Sequence, residues 1–150
     1  MSFSSIPNEP KLNPLVWGPI YWNFLHHIAW SYPENPNKVT KRKYYDLIQN
    51  FPLFIPDQEM GNHFAELLDR HPVSPYLDSR ASFIRWTHYI HNKVNVYLGK
   101  DEISFLAGLE QFKGQYKPKY VKLMENFHIQ KHYIYAVFII LAAIFIYYHS

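Results

Sequence analysis

The sequence predicts an all-α fold, a small antiparallel helical bundle followed by a helical tail. Clustered prolines cut the 150-residue chain into segments of helical length. Apolar side chains recur at i, i+3, i+4, i+7 inside those segments, with no useful β-alternation, and one uncharged apolar run stands near the C-terminus. A chain of this length has room for one domain with appendages, and a core of that size is stable without covalent staples. With 48% hydrophobic and 19% aromatic residues it is too apolar for intrinsic disorder.

The punctuating prolines are Pro33 and Pro36, Pro52 and Pro56, and Pro72 and Pro75. Before the first pair a helix is predicted over about Leu15 to Trp30, where Trp22, Leu25, His26 and Ala29 share a face. The second helix covers about Val39 to Asn50, and the third about Gln58 to Arg70 behind Asp57 as N-cap. The fourth runs from about Ser79 to Leu98, with Asp78 as cap and Phe83, Trp86, Ile90, Val94 and Tyr97 on one stripe. Gly99 ends it, since glycine adopts the left-handed conformation that closes a helix. A shorter fifth helix covers Ile103 to Phe112, and Gly114 to Pro118 breaks the chain before the tail.

From Tyr133 to Tyr148 no residue carries a charge. As a helix this run spans roughly 24 Å at ~1.5 Å per residue, slightly under a ~30 Å hydrocarbon core. Tyrosines at both ends suit the two interfaces and help a short span fit. A transmembrane helix is predicted, although a buried core helix has the same composition. Only His149 and Ser150 follow it, so insertion after translation is expected, with the folded domain on the cytosolic side. The N-terminus has no apolar run behind a basic start, and a cleaved signal peptide is not expected. The resulting organisation is a flexible segment over 1–13, a helical domain over 14–113, a linker over 114–132 and a single-pass anchor over 133–148.

The net charge of +3 comes from 15 basic and 12 acidic residues without a long block of one sign, which argues against a nucleic-acid surface. Cysteine is absent, so the chain contains no disulfide, thiolate nucleophile or Cys-ligated metal. Nine histidines keep a metal alternative open, with His88 and His91 one turn apart and His26 and His27 able to approach across the bundle. No carboxylate accompanies the His-x-x-His pair, a pattern common by chance.

Two segments carry a family resemblance. The first helix contains Trp17-Gly18-Pro19-x-x-Trp22-x-x-Leu25-His26, then Tyr32-Pro33-x-x-Pro36. The fourth contains Ser79-Arg80-x-x-Phe83-x-x-Trp86, then His91-Asn92-x-Val94-Asn95-x-x-Leu98-Gly99-Lys100. Together they resemble the signature segments of the Erv/ALR FAD-linked sulfhydryl oxidases, over about Trp17 to Lys100. The resemblance implies a four-helix bundle with a short fifth helix, FAD at its mouth, and a homodimer through the first two helices. It implies that Gly18, Trp22 and His26 line the flavin and adenine pocket with Tyr32 nearby, that Trp86, His91, Asn92 and Asn95 pack along the nucleotide, and that Lys100 offers charge to the diphosphate. Indole and imidazole faces stack on flat rings, and an ammonium pairs with phosphate, so the chemistry is compatible. The membrane-anchored form is similar to small members from large DNA viruses, which points to a host-cell or virion membrane.

The family's active centre is a Cys-x-x-Cys at the start of the third helix, where the helix N-terminus lowers a thiolate pKa. The matching stretch here is Pro56-Asp57-Gln58-Glu59-Met60-Gly61-Asn62-His63-Phe64, which puts Asp57 and Met60 on the two cysteine positions. A further cysteine, two residues after the tryptophan of the fourth helix, falls on His88. A carboxylate forms no reversible covalent bond of this kind with a thiol, and a thioether cannot ionise to a nucleophile. Two readings follow. One is a pseudoenzyme or interaction module that keeps the FAD fold and pairs with other proteins. The other is an oxidase in which thiols of a partner protein attack the flavin directly.

Overall fold

The computed structural model describes residues 12–149. Of the expected N-terminal segment 1–13, residues 1–11 lie outside the described residues. Among the described residues six α-helices follow one another: α1 Pro14–Ser31, α2 Lys38–Asn50, α3 Gln58–Arg70, α4 Arg80–Tyr97, α5 Phe105–Gln115 and α6 Lys119–His149. Single 3-10 turns stand at Phe51–Phe54 and Ser74–Tyr76, beside the second and third proline pairs, and no strand occurs among the described residues. The chain divides into two compact units, one ending at Gly108 and one beginning at Leu109.

In the first unit α1 to α4 form the four-helix bundle. Each helix begins on a side chain that accepts one of the N–H groups a helix start leaves unpaired. Asn13 accepts from the Leu15 N–H at 2.9 Å, Asn37 from Thr40 at 2.8 Å, Asp57 from Met60 at 2.8 Å and Ser79 from Ser82 at 3.2 Å. The last corrects the expectation that Asp78 caps α4. The Asp78 carboxylate is drawn instead to the Lys41 ammonium, which ties α2 to the start of α4, and the extended Ser79 behind it takes the cap.

At its far end α4 closes as the glycine predicts. Gly99 has φ +69°, its N–H donates to the Val96 carbonyl at 3.0 Å, and the Lys100 N–H donates to the Asn95 carbonyl at 2.8 Å. These paired bonds fix where the backbone leaves the helix and so where Lys100 begins.

The core lies where α1 packs along α4, with α3 and the Phe51–Phe54 turn against them. Leu25 and Ala29 of α1 are buried, as are Phe83, Trp86, Ile90 and Val94 of the predicted α4 stripe and Phe64, Leu67 and Leu68 of α3. Tyr97, the last stripe position, is 45% exposed. Full burial of one such large side chain contributes roughly 1.5–3 kcal/mol, so this cluster rather than helix propensity holds the bundle together.

In the second unit α6 runs unbroken from Lys119, so residues 119–132, expected as linker, are helical. The sequence explains it: after Pro118 no glycine or proline interrupts the segment before the apolar run. Lys119–Tyr148 is long and apolar enough to cross a membrane, and none of its most apolar window is buried.

Candidate functional site

Sequence spacing brings three aromatic rings together where α1 meets α4. Trp22 and His26 lie one turn apart on α1, and His91 faces them from α4. The Trp22 and His91 rings stack at 4.0 Å between centroids, 11° from parallel. His26 Nε2 and His91 Nδ1 are 3.0 Å apart, a hydrogen bond in which one nitrogen donates and the other accepts. Phe64 of α3 closes the inner side at 6.1 Å from Trp22.

Burial keeps the histidine pair uncharged. His26 is lowered to about 4, first by burial and then by the neighbouring His88 and His27. His91 is lowered to about 3 by burial, then by His26, His88 and the Lys100 ammonium. Neutral imidazoles of this kind offer flat faces and polar edges rather than a positive charge.

The surrounding polar atoms are unusually under-committed. Asn95, one turn beyond His91, is only 7% exposed, and its carboxamide makes no hydrogen bond among the described residues. Trp17 Nε1 and His63 Nε2 are buried with no partner there either. Native proteins leave few buried polar groups unpaired, and each such group calls for a ligand or water. At Gly18 an added Cβ would meet nothing within 4 Å, so that turn of α1 borders open space. Aromatic faces, unpaired donors, an open glycine and a cation at Lys100 together fit a ligand with flat rings and an anionic group. The 4.0 Å Trp22–His91 stack leaves no room for a ring between them, so such a ring would lie on an outer face of the pair.

Three other candidates from the sequence stand outside this cluster. Tyr32 is fully buried; its hydroxyl donates to the Leu77 carbonyl at 2.7 Å and its ring packs on Tyr44 and Phe83. Trp86 is buried against Phe83, and its indole N–H donates to the His71 carbonyl at 3.0 Å, binding α4 to the end of α3. The Asn92 carboxamide grips one peptide unit: its Nδ2 donates to the Ile103 carbonyl at 2.8 Å, and its Oδ1 accepts from the Ile103 N–H at 3.1 Å. All three position helices or loops around the site.

At the start of α3, the Asp57 carboxylate is exposed and occupied as the helix cap, while Met60 is half-buried one turn in. His63 and Phe64 follow on the Met60 side. The His63 ring stacks on Tyr97 of α4 at 3.7 Å, and the Tyr97 hydroxyl donates to Glu59 at 2.9 Å. His63 and Trp17 were not among the site residues read from the sequence. The signal for His63 was its i+3 relation to Met60, which puts both on one helix face. His88 is turned away from the His26–His91 pair: its Nε2 lies 2.9 Å from the Ile103 carbonyl and its ring meets Phe105 edge-on. Among the described residues no group of three His, Asp or Glu side chains could hold a metal ion.

The Erv1/Alr family model matches residues 19–117, which contain the site just described apart from Trp17 and Gly18. The chain belongs to the Erv1/Alr family. A probable FAD-linked sulfhydryl oxidase of Acanthamoeba polyphaga mimivirus is 31% identical over 109 residues, covering 72% of this chain and 76% of the relative. The FAD-linked sulfhydryl oxidase of African swine fever virus is 31% identical over 111 residues, covering 74% of this chain and 88% of the relative. Among solved structures, the FAD binding domain of Erv1 from Saccharomyces cerevisiae superposes with a TM-score of 0.65 at 24% identity, over 71% of this chain and all of that one. The yeast Erv1 core gives 0.62 at 23% identity over 78% of this chain. At that identity the likeness establishes the fold.

Proposed function

We propose that this chain is an FAD-binding, membrane-anchored family member in which the family's dithiol chemistry has been lost, leaving a flavin-holding interaction module. The observation that carries the reading is the absence of cysteine from all 150 residues, with Asp57 and Met60 at the start of α3. The family's relatives are named for FAD and for sulfhydryl oxidation. The first of these attributes has support in this chain's residues, and the second has none.

For the cofactor, Trp22 and His91 provide the stacking face, Asn95 and Trp17 Nε1 provide unpaired polar groups, Gly18 leaves space, and Lys100 provides charge for a diphosphate. Bound FAD would supply a two-electron acceptor. His26 holds His91 through their shared hydrogen bond, while burial first and His26 second keep it neutral. Tyr32, Trp86 and Asn92 act a layer further out, fixing the helices that carry these groups.

For the thiol chemistry, Asp57 is a poor substitute on two counts. Its carboxylate already consumes the Met60 N–H that would otherwise stabilise an anion at the helix start. It also puts a fixed negative charge where a thiolate from a partner protein would have to arrive, and like charges oppose that approach. Without a tethered thiol the reaction forfeits positioning worth up to ~7–11 kcal/mol in the best cases.

The anchor is α6, with the apolar run 133–148 as the span. Exposed Leu15, Val16 and Ile20 on α1 and Val39 on α2 support the homodimer expected through the first two helices. A thiol-bearing protein remains the partner of the competing oxidase reading.

The test is oxygen consumption under excess dithiothreitol, with flavin absorbance recorded for every sample. The purified chain should carry flavin and turn over slowly, and Asp57→Cys with Met60→Cys together should raise the rate markedly. Either single replacement should do little, because one thiol cannot close a disulfide. Equal turnover by the wild type and the double variant would establish direct attack on the flavin, and a colourless protein would remove FAD from the account.

A further inference from the structure

We propose that His88 and Asn92 are positioning residues for the cofactor: by gripping the Ile103 peptide they hold the segment 99–104 so that Lys100 meets a diphosphate. The inference rests on the reading that the chain binds FAD, and adds to it a device outside the stacked cluster.

Burial does not hold the segment 99–104, because all six of its residues are exposed. Polar contacts to α4 hold it instead. Once Gly99 has turned the chain, the Lys100 N–H donates to the Asn95 carbonyl at 2.8 Å, and the backbone then runs back along α4. Arg85, His88 and Asn92 lie at i, i+3 and i+7, on one face of that helix. Asn92 Nδ2 donates to the Ile103 carbonyl at 2.8 Å, and Asn92 Oδ1 accepts from the Ile103 N–H at 3.1 Å. His88 Nε2 lies 2.9 Å from the same carbonyl, and since a carbonyl only accepts, this nitrogen carries the proton. Nearer the start of α4 the Arg85 guanidinium lies 4.7 Å over the Phe105 ring, and Lys93 pairs with Glu102 at 3.3 Å. Gly108 leaves the His88 ring its seat, for a Cβ there would lie 2.8 Å from it.

Lys100 therefore stands between two fixed points, its own N–H on α4 and the Ile103 peptide three residues on. Its ammonium forms no ion pair among the described residues. After burial and the neighbouring His26 and His88, that ammonium is a further cause of the lowered His91 pKa, so its charge reaches the stacked Trp22–His91 pair. A cation held beside flat rings by a clamped backbone is preorganised for an anion, and less ordering opposes binding. Releasing the clamp leaves Lys100 its charge and takes away its place.

The test is a titration of FAD into the full chain, purified in detergent and stripped of flavin, read by flavin fluorescence. H88A/N92A should weaken binding by about tenfold or more, the scale of one lost hydrogen bond to a charged group, and K100Q should weaken it comparably. Adding H88A/N92A to K100Q should bring little further loss, because the clamp acts through that lysine. The fall of affinity with added salt should be shallower in both variants than in the wild type. A clamp that only stabilised the fold would give additive losses and an unchanged salt dependence, and that result overturns the proposal. Where H88A/N92A does not fold, G108A displaces the His88 ring with every bonding group left in place, and unchanged affinity there overturns it equally. A wild type that takes up no FAD overturns the cofactor reading and this inference with it. A wild type that binds FAD, with H88A/N92A unchanged, overturns this inference alone.

Discussion

The His26–His91 pair is where single residues decide the most. Both rings have folded-state pKa values far below the ordinary 6.5, His26 at about 4 and His91 at about 3, with burial the main cause. The unfolded chain therefore takes up protons at these positions below pH ~6.5 while the folded chain refuses them. Stability from this source is fully present above pH 6.5 and is lost as pH falls toward 4 and 3. At pH 5 the penalty is on the order of 2 kcal/mol for each ring. The thermal midpoint of the protein in detergent should fall from pH 7.5 to pH 5.0, and the fall should be smaller in His91→Asn, which has one fewer titrating ring. A midpoint unchanged across that range would show that the pair is already charged or solvated. The motif made these two residues visible in the sequence, but their mutual bond was not, because it joins positions on separate helices that only packing brings to 3.0 Å.

At the scale of elements, local rules gave α1 to α4 almost to the residue and missed the early start of α6, and among the caps they erred where two side chains competed for one job. The proline pairs, Asp57 and Gly99 mark helix ends through local chemistry, and α3 lies where the spacing put it. Asp78 is as good a cap as Ser79 by propensity, and only the distant Lys41 decides between them. The same holds for α4 and the loop after it. His88, expected at a family cysteine position, serves with Asn92 as a polar clasp on the Ile103 peptide, and Gly108 of α5 passes so close that an added Cβ would lie 2.8 Å from the His88 ring. Asn92→Ala removes two of the bonds on Ile103, each worth about 0.5–1.5 kcal/mol. Stability should fall by about 1–2 kcal/mol, and the Ile103 amide should exchange with solvent much faster than neighbouring α4 amides. Unchanged exchange at Ile103 would show that the clasp does not hold the loop.

At the scale of the whole molecule, a polar-capped bundle and an uncovered apolar helix make opposite demands on solvent, and the two compact units separate them along the chain. The bundle buries its stripe of Phe83, Trp86, Ile90 and Val94. In α6 the side chains from Tyr133 to Phe138 that would face a core in a soluble protein are more than half exposed, among them Tyr133 at 71% and Phe138 at 65%. Exposed apolar surface costs roughly 25 cal/mol per Å², and a helix this long can avoid that cost only by entering lipid or another protein. Membrane insertion predicts that the full chain stays with the membrane pellet through alkaline carbonate extraction. A chain ending at Lys131 should appear in the supernatant, still folded and still carrying flavin, because Trp22, His26, His91 and Asn95, the residues proposed to face the flavin, all belong to the first unit. Release of the full chain by carbonate would assign α6 to a protein partner instead. A truncated chain that is soluble but has lost its flavin would show that the site depends on the tail, against the separation of the two units.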